Sequence, residues 1–254
     1  MTTRLTLACF TAAAALALAG CGDKSGSNAA APAAQTGPVG TPVAAPNGGD
    51  WTQTVTATAD GGMLMGNPNA AVKLIEFASM TCPHCAEFSE RGTPQLVEKY
   101  VKTGQVAFEY RNFVRDPLDI TMSLIARCAG ATPAFFSITE AMYADQKGIF
   151  ERFQAAPPAE LQAAQSLPPA QQFPKFAAYA GLPAWAAQRG VPSGKSAQCL
   201  TNQAEIEKLV QMNSDAVSGF EIAGTPSFVI NGKLVADTAT WDLLEPKIRD
   251  ALAG

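Results

Sequence analysis

Cys82 and Cys85 are the residues whose types and spacing favour chemistry most clearly. They enclose a proline and a histidine in the tetrad Cys82-Pro83-His84-Cys85. Two thiols at this spacing can form a reversible disulfide, bind a metal ion or attach a haem group. A haem attachment site requires histidine directly after the second cysteine, where this sequence has Ala86. A redox disulfide, an inert disulfide and a metal site therefore remain to be weighed.

The tetrad stands where a predicted strand gives way to a predicted helix. The dense β-forming run from Ala71 to Phe77 precedes it, and a helical pattern follows from Pro83. Proline is favoured at the first helical position, which makes Cys82 the N-cap. Unpaired N–H groups and a partial positive charge at this helix end stabilise a thiolate on Cys82, and His84 can add a donor or a positive charge.

A stabilised thiolate predicts unequal roles for the two cysteines. It favours the reduced form, so the disulfide becomes a better oxidant. Cys82, nearer the turn, is predicted to attack or be attacked. Cys85, further into the helix, is predicted to resolve mixed disulfides.

The metal interpretation has less support. A zinc site normally has a second close pair of ligands, whereas Cys128 and Cys199 are isolated in the sequence and His84 is the single histidine. A metallochaperone that binds copper or zinc through the tetrad, assisted by Met63 and Met65, is the alternative of a different class. No cofactor is expected for the redox interpretation.

The remaining pattern predicts one mixed sheet flanked by helices, an α/β fold. Strands are expected at Thr52 to Ala57 and Gln105 to Arg111, and a turn region from Gly61 to Pro68. The helix after the tetrad extends to about Lys102, with Pro94 expected to interrupt it.

The second half of the chain begins with helical candidates alone, over about 117–219. Strand character returns at Pro226 to Ile230. Asn231-Gly232 is a type I′ hairpin signal, and it leads to a short strand and a last helix from about Thr240 to Leu252.

The segment AVKLIEFASMTCPHCAEF resembles the active-site strand and helix of DsbA-like thiol–disulfide oxidoreductases in the thioredoxin superfamily. The resemblance implies a thioredoxin-like fold with a helical insertion. It implies that Glu76 is a buried acid that assists proton transfer at Cys85, although a solvent-facing strand glutamate is the alternative. It also implies that Thr225 and Pro226 form a cis-proline loop that binds an extended substrate segment.

The first fifty residues are expected to direct and tether the protein. Residues 1–20 have the pattern of a signal peptide, and Leu18-Ala19-Gly20-Cys21 resembles a lipobox, which predicts lipidation of Cys21. An ordinary signal peptide, or an uncleaved anchor, with an incidental Cys21 is the alternative. Residues 22–50, rich in alanine, proline and glycine, are predicted to be a flexible tether to a domain over 51–254.

Export leaves four cysteines in the domain, an even number that an oxidising compartment can pair. Cys128 and Cys199 are predicted to form a structural disulfide within the insertion, with two buried free thiols as the alternative.

The leading hypothesis is a periplasmic, lipid-anchored oxidase of thiol-bearing or unfolded exported polypeptides, recycled by a membrane redox partner. A monomer is expected, because dimeric isomerases of the superfamily carry a folded N-terminal dimerisation domain where this sequence has the tether. An isomerase or reductase is the nearest alternative, because Thr225 is more reminiscent of those members of the superfamily. With 18 basic against 22 acidic residues, no nucleic-acid partner is expected.

Overall fold

The computed structural model describes residues 41–254, which form a six-stranded sheet with helices on both faces. The order of the strands is β1-β2-β4-β3-β5-β6, in which β3 and β4 are parallel and every other pair is antiparallel. The strands are β1 (Val55–Ala57), β2 (Met63–Met65), β3 (Val72–Ala78), β4 (Val106–Asn112), β5 (Ser227–Ile230) and β6 (Lys233–Val235). The predicted mixed sheet is confirmed.

Eight of the eleven α-helices of this region come from one insertion between β4 and β5, and together they span Pro117 to Phe220. This agrees with the insertion predicted over about 117–219. The helices are α1 (Pro83–Arg91), α2 (Thr93–Leu96), α3 (Pro117–Arg127), α4 (Pro133–Ala144), α5 (Gln146–Gln154), α6 (Pro158–Gln165), α7 (Pro169–Tyr179), α8 (Leu182–Ala187), α9 (Ser193–Leu200), α10 (Gln203–Phe220) and α11 (Trp241–Ala253).

Strand β3 is buried on both faces, as its apolar run predicts. On one face Leu74 joins the large core that includes Phe88 of α1, whose ring contacts Phe228 at a centroid distance of 4.7 Å. On the other face Phe77 packs with Ala216 of α10. Side chains alternate along a strand, so Glu76 shares the α1 face with Leu74.

The first helix after the tetrad ends before Pro94, the residue that was expected to interrupt it. α1 stops at Arg91, α2 follows Gly92, and a π-helical segment covers Val97–Val101. A Cβ atom at Gly92 would come within 2.6 Å of the Phe88 ring, so a glycine is needed there. The predicted interruption is confirmed, but it lies at Gly92, because Pro94 falls in the first turn of α2, where its missing N–H costs nothing.

Two expectations near the start of the domain are wrong. Trp51–Gln53 is a 3₁₀ turn, and the predicted strand is reduced to β1. The predicted turn region contains strand β2, in which Met63 and Met65 are buried against β4. Three residues between glycines are too few to show alternation, so only the pairing with β1 and β4 defines this strand.

Residues before Trp51, the predicted start of the domain, also contact the fold. The Val43 N–H donates to Thr103 O at 2.8 Å, and the Trp51 indole N–H donates to Val43 O at 2.7 Å. The indole of a buried tryptophan needs an acceptor, and upstream backbone supplies it. The predicted signal peptide, Cys21 and most of the predicted tether lie outside the described residues.

Two further features close the fold. Asn231 and Gly232 have φ values of 48° and 79°, which confirms the type I′ turn between β5 and β6. A disulfide joins Cys128, at the end of α3, to Cys199 of α9, across 71 residues.

Between residues 41 and 254, no helix combines the length and apolar character needed to cross a membrane.

Candidate active site

Cys82 is the N-cap of α1, with Pro83 at the first helical position. Its extended backbone (φ −89°, ψ 121°) turns the chain from the β3 side into the helix. Cys82 is 3% exposed, Cys85 is fully buried, and neither thiol is in a disulfide. The sequence therefore places one thiol at the helix end and the other inside its first turn.

The environment of Cys82 strongly favours its thiolate. A hydrogen bond from the Cys85 thiol, the Thr225 side chain, and the backbone N–H groups of Cys85 and His84 together lower the pKa of Cys82 from 9.0 to about 4, despite the opposing effect of burial. The N–H groups are those that a helix leaves unpaired in its first turn. Cys82 is therefore ionised at neutral pH.

Cys85 has the opposite electrostatics. Burial raises the pKa of the Cys85 thiol well above 9.0, and the hydrogen bond to Cys82 and the charges of Glu76 and Cys82 raise it further. In the dithiol, the proton shared by the pair therefore belongs to Cys85.

Glu76 lies in the core beneath the tetrad, only 3% exposed. Burial, with the negative charge of Cys82, raises the pKa of Glu76 from 4.5 to about 8. A carboxyl group in this position is a neutral acid at pH 7 and can give or take a proton near Cys85. The solvent-facing alternative for Glu76 is wrong.

The Thr225–Pro226 peptide bond is cis, and the chain before β5 lies against the tetrad. The Cys82 thiol and Thr225 O are 3.2 Å apart, across 143 residues of sequence. The sheet produces this approach, since β5 pairs with β3.

Asp119 fixes the loop that carries Cys82. This fully buried carboxylate of α3 accepts hydrogen bonds from Ser79 Oγ at 2.5 Å and from Met80 N at 2.9 Å. Burial raises the pKa of Asp119 from 3.8 to about 7. Sequence reasoning missed this residue. Asp116-Pro117 does signal the start of a helix, but only the tertiary fold brings Asp119 to the loop.

Two more residues of the insertion, Tyr143 and Gln146, donate hydrogen bonds to the loop that carries Cys82. Gln146 Nε2 donates to Met80 O at 2.8 Å and to Cys82 O at 3.1 Å. The Tyr143 hydroxyl donates to Ser79 O at 3.1 Å. Sequence reasoning also missed Gln146 and Tyr143, since nothing local distinguishes them from other polar residues of α4 and α5.

The His84 side chain does not face the thiolate. It is 74% exposed, and its Nδ1 lies 4.0 Å from Glu87 Oε2. The contribution of His84 to the low pKa of Cys82 comes from its backbone N–H. Met63 and Met65 belong to the core, and among residues 41–254 no group of three or more His, Cys, Asp or Glu side chains could hold a metal ion.

The site thus consists of an ionised sulfur, a protonated sulfur within hydrogen-bonding distance and a buried acid, at the end of a central strand. Residues 58–250 match the family model described as Thioredoxin. The chain belongs to the thioredoxin family. Its thioredoxin-like fold carries the helical insertion of DsbA-like proteins, as the sequence predicts.

Two solved structures are similar to this chain. A protein-disulfide isomerase from Novosphingobium aromaticivorans is 35% identical, with a TM-score of 0.70 over 75% of this chain and 97% of that one. Wolbachia pipientis alpha-DsbA1 is 21% identical and shares the fold, with a TM-score of 0.56 over 75% of this chain and 90% of that one.

Curated sequences give a similar result over a shorter span. A Rickettsia felis protein with the provisional name protein-disulfide oxidoreductase is 26% identical over 68% of this chain and 54% of its own length. The chain spans about half the length of the curated relatives it matches.

Proposed function

We propose that the protein is a thiol–disulfide oxidoreductase that oxidises dithiols of unfolded exported polypeptides. The observation that carries the proposal is the pair of unequal thiols, with Cys82 ionised at the N-terminus of α1 and Cys85 protonated behind it. The protein-disulfide names of its relatives support the same chemistry.

The reaction follows from this asymmetry. A substrate thiolate attacks Cys82 Sγ of the disulfide, the Cys82–Cys85 bond breaks, and Cys85 leaves and takes up a proton, for which Glu76 is the nearby acid. A second substrate thiolate then attacks the substrate sulfur of the mixed disulfide. Cys82 departs as a stable thiolate, the substrate holds a new disulfide, and the enzyme is left as the dithiol.

The low pKa of Cys82 favours oxidation of substrate over its reduction. Each unit by which a thiol pKa falls stabilises the thiolate by about 1.4 kcal/mol, or roughly 30 mV for a two-electron couple. The reduced enzyme is favoured accordingly, and its disulfide becomes an oxidant.

Isomerisation or reduction is the second candidate, and two observations favour it. Thr225 precedes the cis-proline, and the 35% identical structure bears the name isomerase. However, the Thr225 side chain is among the groups that lower the pKa of Cys82, so here it supports an oxidising disulfide.

We place this activity on the periplasmic side of a bacterial membrane, with the enzyme anchored through lipid on Cys21. The signal pattern of residues 1–20 supports export, and the Cys128–Cys199 disulfide suits an oxidising compartment. After each turnover the dithiol would be reoxidised by a membrane redox partner. The enzyme is proposed to act as a monomer.

The decisive experiment is a single turnover. Wild-type protein, prepared as its Cys82–Cys85 disulfide, is mixed with a reduced, denatured dithiol substrate, and substrate oxidation is followed after acid quenching. We expect one substrate disulfide per enzyme. In a separate mixture with a disulfide-containing substrate, the Cys82 thiolate of Cys85→Ser should attack the substrate disulfide, release one substrate thiolate and stay joined to the other substrate sulfur, whereas Cys82→Ser should trap none.

Two results would redirect the proposal. Wild-type disulfide that leaves the substrate reduced, while its dithiol reshuffles a scrambled substrate, would indicate an isomerase. Stoichiometric protection of both thiols by zinc or copper without disulfide exchange would indicate the metallochaperone.

A further inference from the structure

Cys85 and Glu76 are both buried, yet the proposed exchange requires a proton to pass between them and solvent. Cys85 is fully buried and Glu76 is 3% exposed. Each oxidation of the dithiol removes one proton from Cys85, because the thiol must ionise before it attacks. Glu76 has to give this proton up before it can accept another. A polar path out of the core is therefore part of the reaction.

Tyr110 stands beside Glu76 on the same face of the sheet. The two residues are Cα partners in the parallel pair β3–β4, whose strands lie about 4.8 Å apart. Tyr110 also belongs to the core cluster that contains Cys85. Burial raises the pKa of Tyr110 well above 10.0, and the charges of Glu76 and Cys85 raise it further against the opposing hydrogen bond with Tyr143. The Tyr110 hydroxyl therefore keeps its proton and lies within electrostatic reach of both groups.

The hydroxyl of Tyr143 continues the path from Tyr110. The two Oη atoms are 2.7 Å apart, and Tyr143 Oη donates to Ser79 O at 3.1 Å. A hydroxyl has one proton to donate, so Tyr110 is the donor between the two tyrosines. The other contact of Tyr110 Oη is Met80 Sδ at 3.8 Å, a weak acceptor. Support of the Cys82 loop thus explains the hydroxyl of Tyr143 and leaves that of Tyr110 unexplained.

Tyr143 lines a groove of about 410 Å³ between α1 and α4. Glu90 of α1 and Glu140 of α4 also line this groove, and both residues are exposed. The groove is therefore open to solvent. The hydrogen bond from Tyr110 to Tyr143 points from the buried acid towards this opening.

We propose that the Tyr110 and Tyr143 hydroxyls carry the proton between Glu76 and solvent at this groove. When the dithiol is oxidised, Cys85 gives its proton to the Glu76 carboxylate. Glu76 then protonates Tyr110 Oη as Tyr110 gives its own proton to Tyr143 Oη, and Tyr143 releases one to water. Each hydroxyl gains one proton and loses one, and rotation about the C–O bonds restores the starting hydrogen bonds. This inference rests on the proposed thiol–disulfide exchange and assigns two further residues to it.

The step that resolves a mixed disulfide isolates this proton. Reduced full-length protein is mixed with excess glutathione disulfide. First the Cys82 thiolate attacks one sulfur, and one glutathione leaves as its thiolate. Then Cys85 loses its proton and attacks Cys82 Sγ, which releases the second glutathione thiolate. Acid quenching and mass spectrometry of the intact protein follow the two steps separately.

Tyr110→Phe should slow the second step roughly tenfold, a part of the about 10²–10⁴-fold that acid–base assistance contributes. The variant keeps the ring that packs against Phe135 and the hydrogen bond from Tyr143 to Ser79 O. The rate of the first step should therefore match that of wild type. The solvent deuterium isotope effect on the second step should rise above the wild-type value, because proton release has become rate-limiting.

Two further variants complete the test. Tyr143→Phe removes the outer hydroxyl and should slow the same second step by a similar factor. Tyr179→Phe is the matched control, because that hydroxyl bonds to Glu160 Oε2 at the surface. It should leave the rates of both steps unchanged.

Three results would overturn the inference. These are an unchanged second step in Tyr110→Phe, equal slowing of both steps, and a slower second step that keeps the wild-type isotope effect. The last two would mean that the hydroxyl supports the core without carrying the proton. Absence of the second step in wild-type protein would instead contradict the thiol–disulfide exchange on which the inference rests.

Discussion

The fold shifts the pKa values of Cys82 and Cys85 in opposite directions. The Cys85 thiol, then Thr225 and the helix-end N–H groups, stabilise charge on Cys82, while burial and the charge of Glu76 oppose it on Cys85. Residue type and spacing alone were enough to identify both cysteines and to predict that the thiolate is the more stable on Cys82. The orientation of the His84 side chain, which is 74% exposed, could not be predicted, because the direction of an exposed side chain depends on its rotamer.

Replacement of Thr225 by valine should raise the pKa of Cys82, because the thiolate loses a hydrogen bond. Thiolate absorbance of the reduced protein, titrated with acid, should show a midpoint near 4 in wild type and a higher one in Thr225→Val. Thr201→Val is the control, since that hydroxyl bonds to Ala197 O and Gln198 O. An identical midpoint in Thr225→Val would contradict the assigned role.

Replacement of Glu76 by glutamine should change how stability depends on pH. The pKa of Glu76 is raised from 4.5 to about 8 on folding, so the native state holds a proton that the unfolded chain has lost between these values. Wild-type stability therefore falls across this window, at about 1.4 kcal/mol per pH unit from this group.

The glutamine side chain does not titrate, so the advantage of Glu76→Gln over wild type should grow from about pH 5 to pH 8. Urea unfolding of both reduced proteins at several pH values measures this difference. A constant difference would mean that Glu76 is not the buried acid described. In kinetics, the same variant should slow the step in which Cys85 leaves.

At the scale of elements, helix α1 begins where the sequence predicts and ends where packing requires. The start was predictable because Pro83 and the N-cap are local signals. The end at Gly92 depends on the ring of Phe88, and β2 depends on its two neighbours, so neither has a local signal. Asp119 and Gln146 were missed for the same reason: distant helices bring them to the Cys82 loop.

Substitution of Gly92 by alanine should destabilise the protein by about 1–3 kcal/mol, because the new methyl group would meet the Phe88 ring. Gly219→Ala is a matched control in α10, where no atom lies within 4 Å of an added Cβ. That change should stabilise by roughly 0.5–1 kcal/mol through helix propensity. Thermal or urea unfolding of the two variants should give opposite signs, and the same sign would refute the contact.

At the scale of the whole molecule, the Cys128–Cys199 disulfide links two helices of the insertion and leaves the sheet unconstrained. The bond closes a loop of 71 residues. In the chain-entropy model such a loop contributes about 4 kcal/mol by restricting the unfolded state. The alternative of two free thiols is not what the fold shows, although the even cysteine count alone could not decide between them.

The double variant Cys128→Ala/Cys199→Ala should therefore unfold at lower urea concentration, with a loss of up to about 4 kcal/mol. Its Cys82 thiolate should still titrate near 4, since the groups that lower that pKa lie outside the disulfide. Equilibrium unfolding and the acid titration check the two statements separately. A large shift of the titration would mean that the insertion sets the chemistry of Cys82.

The position of β3 between β4 and β5 has a consequence for biogenesis. β4 follows β3 closely, but Lys73 N–H meets Asn231 Oδ1 across 158 residues. A chain emerging from its N-terminus therefore has its reactive cysteines, and one open edge of its central strand, long before β5 arrives. Until then Cys82 lacks the hydrogen bond from Thr225, so one of the groups that lower its pKa joins the site only when synthesis is nearly complete. The strand order thus separates the synthesis of the two cysteines from the completion of the site around them.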